Sequence, residues 1–280
     1  MLAIGTRFFG SDAENDLLRL SKFIETGQLL GNIFVAVNFA VDGCCTLAYC
    51  AERYPRADVF EVRPWQKFVA PLNAIIYRAM LTGADRLLLA SAEFAPGPDE
   101  VDILNGHVHD DTLVAGARFS EHEFSKGEVV GNGLTVPWNT FALWNLKLLG
   151  RIGFPLVGDA AFDQRQAGVE EVSAIALYQK LLGVKKAQAK LVSIPGFREE
   201  WNMAGWDDDR RAKHEAKIKS KASRPAVHLE WAEFNAPIVL HIADASRSRR
   251  ISTPSDPRYA PAGAITESTH GVQGAFCASR

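Results

Sequence analysis

The chain has 280 residues, 47% hydrophobic and 23% charged, with a formal net charge of −2. These values exclude fibrous, collagenous and wholly disordered classes, and the near-neutral balance argues against a nucleic-acid-wrapping or polybasic membrane protein. A chain this long buries roughly three quarters of its unfolded surface, enough for a large core without staples. Cys44, Cys45, Cys50 and Cys277 have neither zinc-ligand spacing nor the look of a disulfide framework, so a reducing cytoplasm is the expected location. No run of about 18 apolar residues occurs, and no signal peptide or membrane-spanning segment is expected.

In chain order, Ala3 and Ile4 open a predicted strand, and Ser11 and Asp12 suit the cap of a helix running to about Gly27 on a Leu17, Leu18, Leu20, Phe23, Ile24 stripe. Residues 33–37 read as a buried strand, Asp42 opens a helix reaching about Arg53, and residues 59–62 form a third strand. Pro71 fits the first turn of a helix closing near Gly83, followed by strands at 87–90 and 113–117 around a short helix. Residues 129–137 read as a glycine-punctuated loop, 139–150 and 169–182 as helices, and 189–194 as a late strand. Residues 207–220 predict a charged helix with a solvated surface role. From about Ala245 the composition shifts to Ser, Arg, Pro, Ala and Gly, which predicts an unstructured tail over 245–280. Strand–helix alternation at this pitch implies an α/β fold built on a mostly parallel sheet flanked by helices.

Ligands of such sheets bind beyond the carboxyl ends of the strands, near a topological switch point. The residues there are Thr6, Arg7 and Phe8, then Asn38 and Asp42, then Arg63, Pro64, Trp65 and Lys67, and finally Ser91, Ala92 and Glu93. Their polar and basic character suits a phosphate-bearing ligand. No G-x-G-x-x-G follows the first strand, and neither a P-loop nor a G-x-S-x-G elbow occurs, which lowers the odds of a dinucleotide dehydrogenase, a P-loop enzyme or an α/β-hydrolase.

Several motifs recur in a fixed order. Leu72-Asn73 stands near a helix start. A strand then ends in Ser91-Ala92-Glu93, with Pro96 and Pro98 close behind and Val114-Ala115-Gly116-Ala117-Arg118 on the next strand. Arg151-Ile152-Gly153-Phe154 and the pair Glu170-Glu171 follow. In order and spacing, residues 1–195 resemble the GT-A glycosyltransferases, glycosyltransferase family 2 in particular. The resemblance implies a single GT-A domain over 1–244, with a nucleotide-sugar-binding half at 1–120 and an acceptor half at 121–244. It implies transfer of a sugar from a UDP- or GDP-linked donor to a hydroxyl acceptor, with no nucleic-acid partner. A divalent Mg or Mn ion would neutralise the departing diphosphate. Residue by residue, Glu93 is the metal-side carboxylate, Glu170 or Glu171 the base with Glu171 favoured, and Thr6, Arg7 and Asn38 face the nucleotide. Ser91 and Ala92 complete the strand-end motif. Ser91 departs from the family pattern by replacing its first Asp, so Arg63 or Lys67 is an alternative carrier of the diphosphate charge. A third metal ligand stays open among His214, His228 and His241.

Plainer readings stand beside these. Glu93 also suits a surface loop, and Glu170-Glu171 suits any helix N-terminus through the dipole. Trp65 and Trp138 could stack on a base or sugar, whereas Trp144 fits the core. His107, His109, Asp110 and Asp111 read as a solvated loop in preference to a metal cluster. Arg198, Glu199 and Trp201 suit an acceptor-side loop or a turn. Two other activities remain as alternatives, a sugar nucleotidyltransferase and a catalytically degenerate nucleotide-sugar-binding protein.

Overall fold

The expected alternation of buried strands and amphipathic helices holds in the computed structural model, which describes residues 1–9, 14–38, 43–160, 163, 166–197, 200 and 207–243. Strands β1 (Leu2–Phe8), β2 (Asn32–Val37), β3 (Asp58–Glu61) and β4 (Arg86–Ala90) are separated by helices α1 (Glu14–Gly27), α2 (Gly43–Arg53) and α3 (Val69–Leu81). Helix α4 (Pro98–His107) leads to β5 (Thr112–Ala117), then β6 (Gly127–Val130), β7 (Phe141–Asn145) and the one-turn α5 (Leu146–Leu149). Helix α6 (Glu170–Leu182), β8 (Gln188–Ser193), α7 (Asp208–Lys221), α8 (Arg224–Trp231) and β9 (Ile238–Ala243) complete the order. The caps expected at Ser11, Asp12 and Asp42, the segment with Arg198, Glu199 and Trp201, and the tail lie outside the described residues.

One nine-stranded sheet carries the fold in the order β3-β2-β1-β4-β7-β5-β8-β9-β6. Strands β3, β2, β1 and β4 are mutually parallel, as are β5, β8 and β9. Only the pairs made by β7 and β6 are antiparallel. After β1 the chain adds β2 and β3 on one side and then returns to lay β4 on the other. The switch point therefore falls between the carboxyl ends of β1 and β4. Close packing at Gly5 sets α3 against this place, since a Cβ there would meet Ile75 Cγ2 at 2.5 Å.

The structure corrects the helix expected over 139–150. Residues Phe141–Asn145 form β7, wedged antiparallel between β4 and β5, with only one helical turn after it. All five are buried because both faces of a central strand are covered, and an apolar run buried on both faces has no period with which to distinguish strand from helix. The loop expected over 129–137 contains the end of β6, and α8 and β9 add elements that the sequence reading did not place.

Two of the sequence motifs form a structural clamp. Asn73 accepts from the Phe154 N–H at 2.8 Å and donates to its carbonyl at 3.0 Å, tying α3 to the Ile152-Gly153-Phe154 turn. Gly153 takes φ +79° in that turn, where a side chain would also strike Asn73. Tyr178 of α6 completes the turn, its hydroxyl accepting from Gly153 N–H and donating to Leu149 C=O. Asp159 accepts from the Phe68 and Val69 N–H groups, capping α3 from 90 residues away in sequence. Cys50 is a buried thiol pushed up to about 11 by that burial, in keeping with a packing role.

Candidate active site

A cavity of about 310 Å³ opens at the switch point. Gly5, Thr6 and Arg7 of β1, Leu89 and Ala90 of β4, and Ser91 just after β4 form its strand-end wall. The start of α6 brings Glu170 and Glu171, and the α7–α8 segment brings His214, Lys217, Lys221 and Arg224. Ligand sites of drug size occupy about 300–1,000 Å³. This one lies at the small end of that range.

The two carboxylates are placed by backbone geometry and held from one residue. Val169, the N-cap of α6, takes φ +63°, a left-handed conformation that costs a β-branched residue of order 1–3 kcal/mol. Gly168 before it has φ +99°. This turn starts the helix so that Glu170 and Glu171 occupy its first turn while both stay buried, at 3% and 5% exposure. Gly158 allows the approach, because a Cβ there would meet Glu170 Cβ at 2.8 Å. Asn139, just before β7, donates its backbone N–H to Glu171 Oε1 at 2.6 Å and its side-chain Nδ2 to Glu170 Oε1 at 3.1 Å. Its Oδ1 accepts from Trp144 Nε1 at 2.9 Å, which fixes the amide orientation. Asn139 was missed in the sequence reading; nothing local marks it, since its role depends on partners five and more than thirty residues away.

Burial and the neighbouring Glu170 charge push the Glu171 carboxyl up to about 7, partly offset by the Asn139 N–H and Lys221. Burial likewise brings the Lys221 ammonium down to about 7 against the pull of Glu171 and Glu170. A base titrating near neutrality is well matched to removing a hydroxyl proton. Arg7 completes this wall, 3.9 Å from Glu170 Oε1, with its guanidinium 4.7 Å from the Phe68 ring centroid.

Of the other predicted residues, Thr6, Arg7, Ser91 and Glu93 line the cavity together with Glu170 and Glu171, whereas Asn38, Arg63, Lys67 and Ala92 do not. Asn38 hydrogen-bonds through its N–H to Phe8 C=O at the β1–β2 edge. Arg63 is exposed and ion-paired with Glu61. The Lys67 carbonyl accepts from Arg7, and Ala92 packs against the core. Asn38, Arg63 and Lys67 follow strand ends in sequence, yet those strands, β2 and β3, lie to one side of the switch point between β1 and β4. Helix α7 is largely exposed, as expected of a charged surface helix, and in addition His214, Lys217, Ile218 and Lys221, spaced for one helical face, line the cavity.

Trp138 lines the cavity but has no face left for a base or sugar. His122 lies against its ring at 3.8 Å between centroids, and the Lys221 ammonium sits 3.0 Å from its centroid. Burial holds His122 down to about 3, so this partner is neutral at pH 7. Trp65 does not line the cavity, and Trp144 is fully buried in the core. Among the three histidines, His228 is bonded to Gln166 C=O, while His241 accepts from Ser125 N–H and donates to Thr135 C=O. His214 alone reaches the cavity.

The donor set does not suit a divalent ion, for which Mg²⁺ or Mn²⁺ would want several oxygen ligands. The strand-end turn offers one carboxylate, and both its oxygens are engaged: Ser91 Oγ donates to Glu93 Oε2, and Arg19 Nη1 of α1 stands 3.4 Å from Oε1. Among the described residues no group of three or more His, Cys, Asp or Glu side chains is placed to hold a metal. The remaining cavity carboxylates, Glu170 and Glu171, are held by Asn139 amid basic groups.

No family model matches the chain, and no curated protein matches it in sequence. Solved structures do. A mannosyltransferase from Pyrobaculum calidifontis, determined with GDP-Man and Mn²⁺, superposes with a TM-score of 0.53 at 10% identity, covering 81% of this chain and 64% of that one. The present chain thus spans under two thirds of that protein's length. Glucosyl-3-phosphoglycerate synthase from Mycobacterium tuberculosis, with Mn²⁺, UDP and phosphoglyceric acid, gives 0.49 at 12% identity over 81% and 78% of the two chains. TarS 1–349 of S. aureus with UDP-GlcNAc gives 0.46 at 11% identity over 79% and 67%. The fold is the GT-A fold of nucleotide-sugar transferases.

Proposed function

We propose that this protein is a glycosyltransferase that moves a sugar from a nucleoside-diphosphate donor to a hydroxyl acceptor, with Glu171 as the base. The observation that carries the reading is the buried Glu171 carboxylate, raised to about 7 and held by the Asn139 N–H in a cavity at the switch point. Glu171 takes the proton of the acceptor hydroxyl as its oxygen bonds to the anomeric carbon. The bond from that carbon to the diphosphate breaks, and the nucleoside diphosphate leaves with the electron pair. Thr6 and Arg7 stand on the donor side, and Glu170 shapes the field around the base. Residues 1–120 supply the donor-side strand ends, while 121–244 supply the carboxylates and the acceptor side. The reading includes a cytoplasmic setting, supported by cysteine usage; among the described residues no helix is long and apolar enough to cross a membrane.

A Glu171→Gln variant tests it against a panel of UDP- and GDP-sugars. Donor binding should stay within about threefold of the parent while transfer falls by about 10²-fold or more. Transfer that survives the substitution removes Glu171 from the base role. Donor binding by the parent with no transfer to any acceptor would point to a nucleotide-sugar sensor, and release of pyrophosphate to a nucleotidyltransferase.

A further inference from the structure

Four cationic side chains, Arg7, Lys217, Lys221 and Arg224, line a cavity that carries three carboxylates. One of those three, Glu93, is already matched by Arg19. A second, Glu171, interacts with Lys221, and burial pushes both toward their uncharged forms, so this pair adds little net charge. The wall therefore holds an excess of positive charge, Arg7, Lys217 and Arg224 against Glu170, a field that favours an anion.

Two further observations point to a missing ligand. Thr6 Oγ1 has no hydrogen-bond partner among the described residues although Thr6 is 1% exposed and lines the cavity. Arg224 is 7% exposed, and its Nε is likewise without a partner, even though its terminal nitrogens donate to Ala167 and Lys217 carbonyls. Buried polar atoms left without partners are rare in folded proteins and call for a ligand or water. An oxygen-rich anion would accept from both groups.

We infer that the diphosphate of the donor is neutralised by this side-chain cluster, with Lys217 and Lys221 of α7 as its principal cations, in place of a divalent metal ion. The inference rests on the glycosyltransferase reading and assigns the charge-neutralising role of that same site. Lysine ammoniums and guanidiniums bind phosphate oxygens directly, and here they stand where Glu93 is unavailable as a metal ligand. Leaving-group stabilisation would come from Lys217, Lys221 and Arg224 acting on the charge that grows as the glycosidic bond breaks. Arg63 and Lys67, the basic residues the sequence suggested for the task, do not line the cavity.

Calorimetric titration of the metal-stripped protein with UDP, GDP and inorganic pyrophosphate, first in EDTA and then with excess Mn²⁺, tests the assignment. Nucleoside diphosphate should bind in EDTA, tighten no more than about threefold with Mn²⁺, weaken at high salt, and weaken tenfold or more in Lys217→Met and in Lys221→Met. Circular dichroism of both variants would confirm that each stays folded. Binding that needs Mn²⁺ and is unchanged in the two variants overturns the inference and leaves the glycosyltransferase reading standing. Lysine-dependent binding of pyrophosphate with no preference for either nucleotide upholds the cationic site and overturns the nucleotide-sugar reading. No binding of any of the three, with or without metal, overturns both.

Discussion

Replacing Glu171 by Gln should stabilise the protein at pH 8 and leave its stability almost unchanged near pH 4.5. The carboxyl is raised from an ordinary 4.5 to about 7 in the folded state, chiefly by burial and then by Glu170. A folded protein that holds this proton more tightly than the unfolded chain loses stability as pH rises from 4.5 to 7, and stays at the lower level above 7. At 1.36 kcal/mol per tenfold, the loss amounts to up to about 3 kcal/mol. Glutamine keeps the shape, and its Oε1 can still accept the Asn139 N–H, so the variant escapes the loss without opening a hole. Urea unfolding of parent and variant at pH 5 and pH 8, read by tryptophan fluorescence, measures the difference. A variant equally or less stable than the parent at pH 8, or one more stable by the same amount at both pH values, would refute the argument that a buried charge is held there against its solvation. Catalytic groups kept in unfavourable surroundings commonly cost stability in this way.

Three more outcomes follow from the same site. The pH profile of kcat/KM should rise as Glu171 deprotonates and fall as Lys221 loses its proton, giving a bell centred near 7 whose limbs belong to the coupled pair. In Lys221→Met the ascending limb should move to higher pH, because Lys221 lowers the Glu171 value; a limb that moves down or stays put contradicts the contact, Lys217, Arg224 and Glu170 being the other charges nearby. Asn139→Ala should cost about 3 kcal/mol of stability in urea unfolding, since it leaves the buried Trp144 N–H without an acceptor and removes a donor from Glu170. A loss under about 1 kcal/mol would mean that Asn139 does not anchor the pair.

The first three strands, the helices between them and the run into β5 were legible because short apolar runs bounded by turn residues alternate there with longer helical patterns, so length separates strand from helix even where both faces of a strand are buried. The GT-A order was legible too, through motifs such as Leu72-Asn73 and Ile152-Gly153-Phe154, which mark the clamp between α3 and the turn before α6. Glu170 and Glu171 could be found because their pairing at a helix start is local. The β7 strand could not, since it runs without a break into Leu146–Leu149 and the combined, largely apolar run has the length of a helix, and neither could the split between cavity-lining and peripheral strand-end residues. Asn38, Arg63 and Lys67 satisfy the same sequence rule as Thr6, Arg7 and Ser91. Only the strand order, with β1 and β4 adjacent and β2 and β3 to one side, decides between them. Helix α7 carries the same lesson. Its charges are visible in sequence, but that Lys217 and Lys221 line the cavity is settled by where the fold places that helix beside the ends of β1 and the start of α6. Sequence determines local period and charge; the sign and function of a charge depend on which distant groups the fold sets beside it, because Coulomb and desolvation energies follow distance in space and burial.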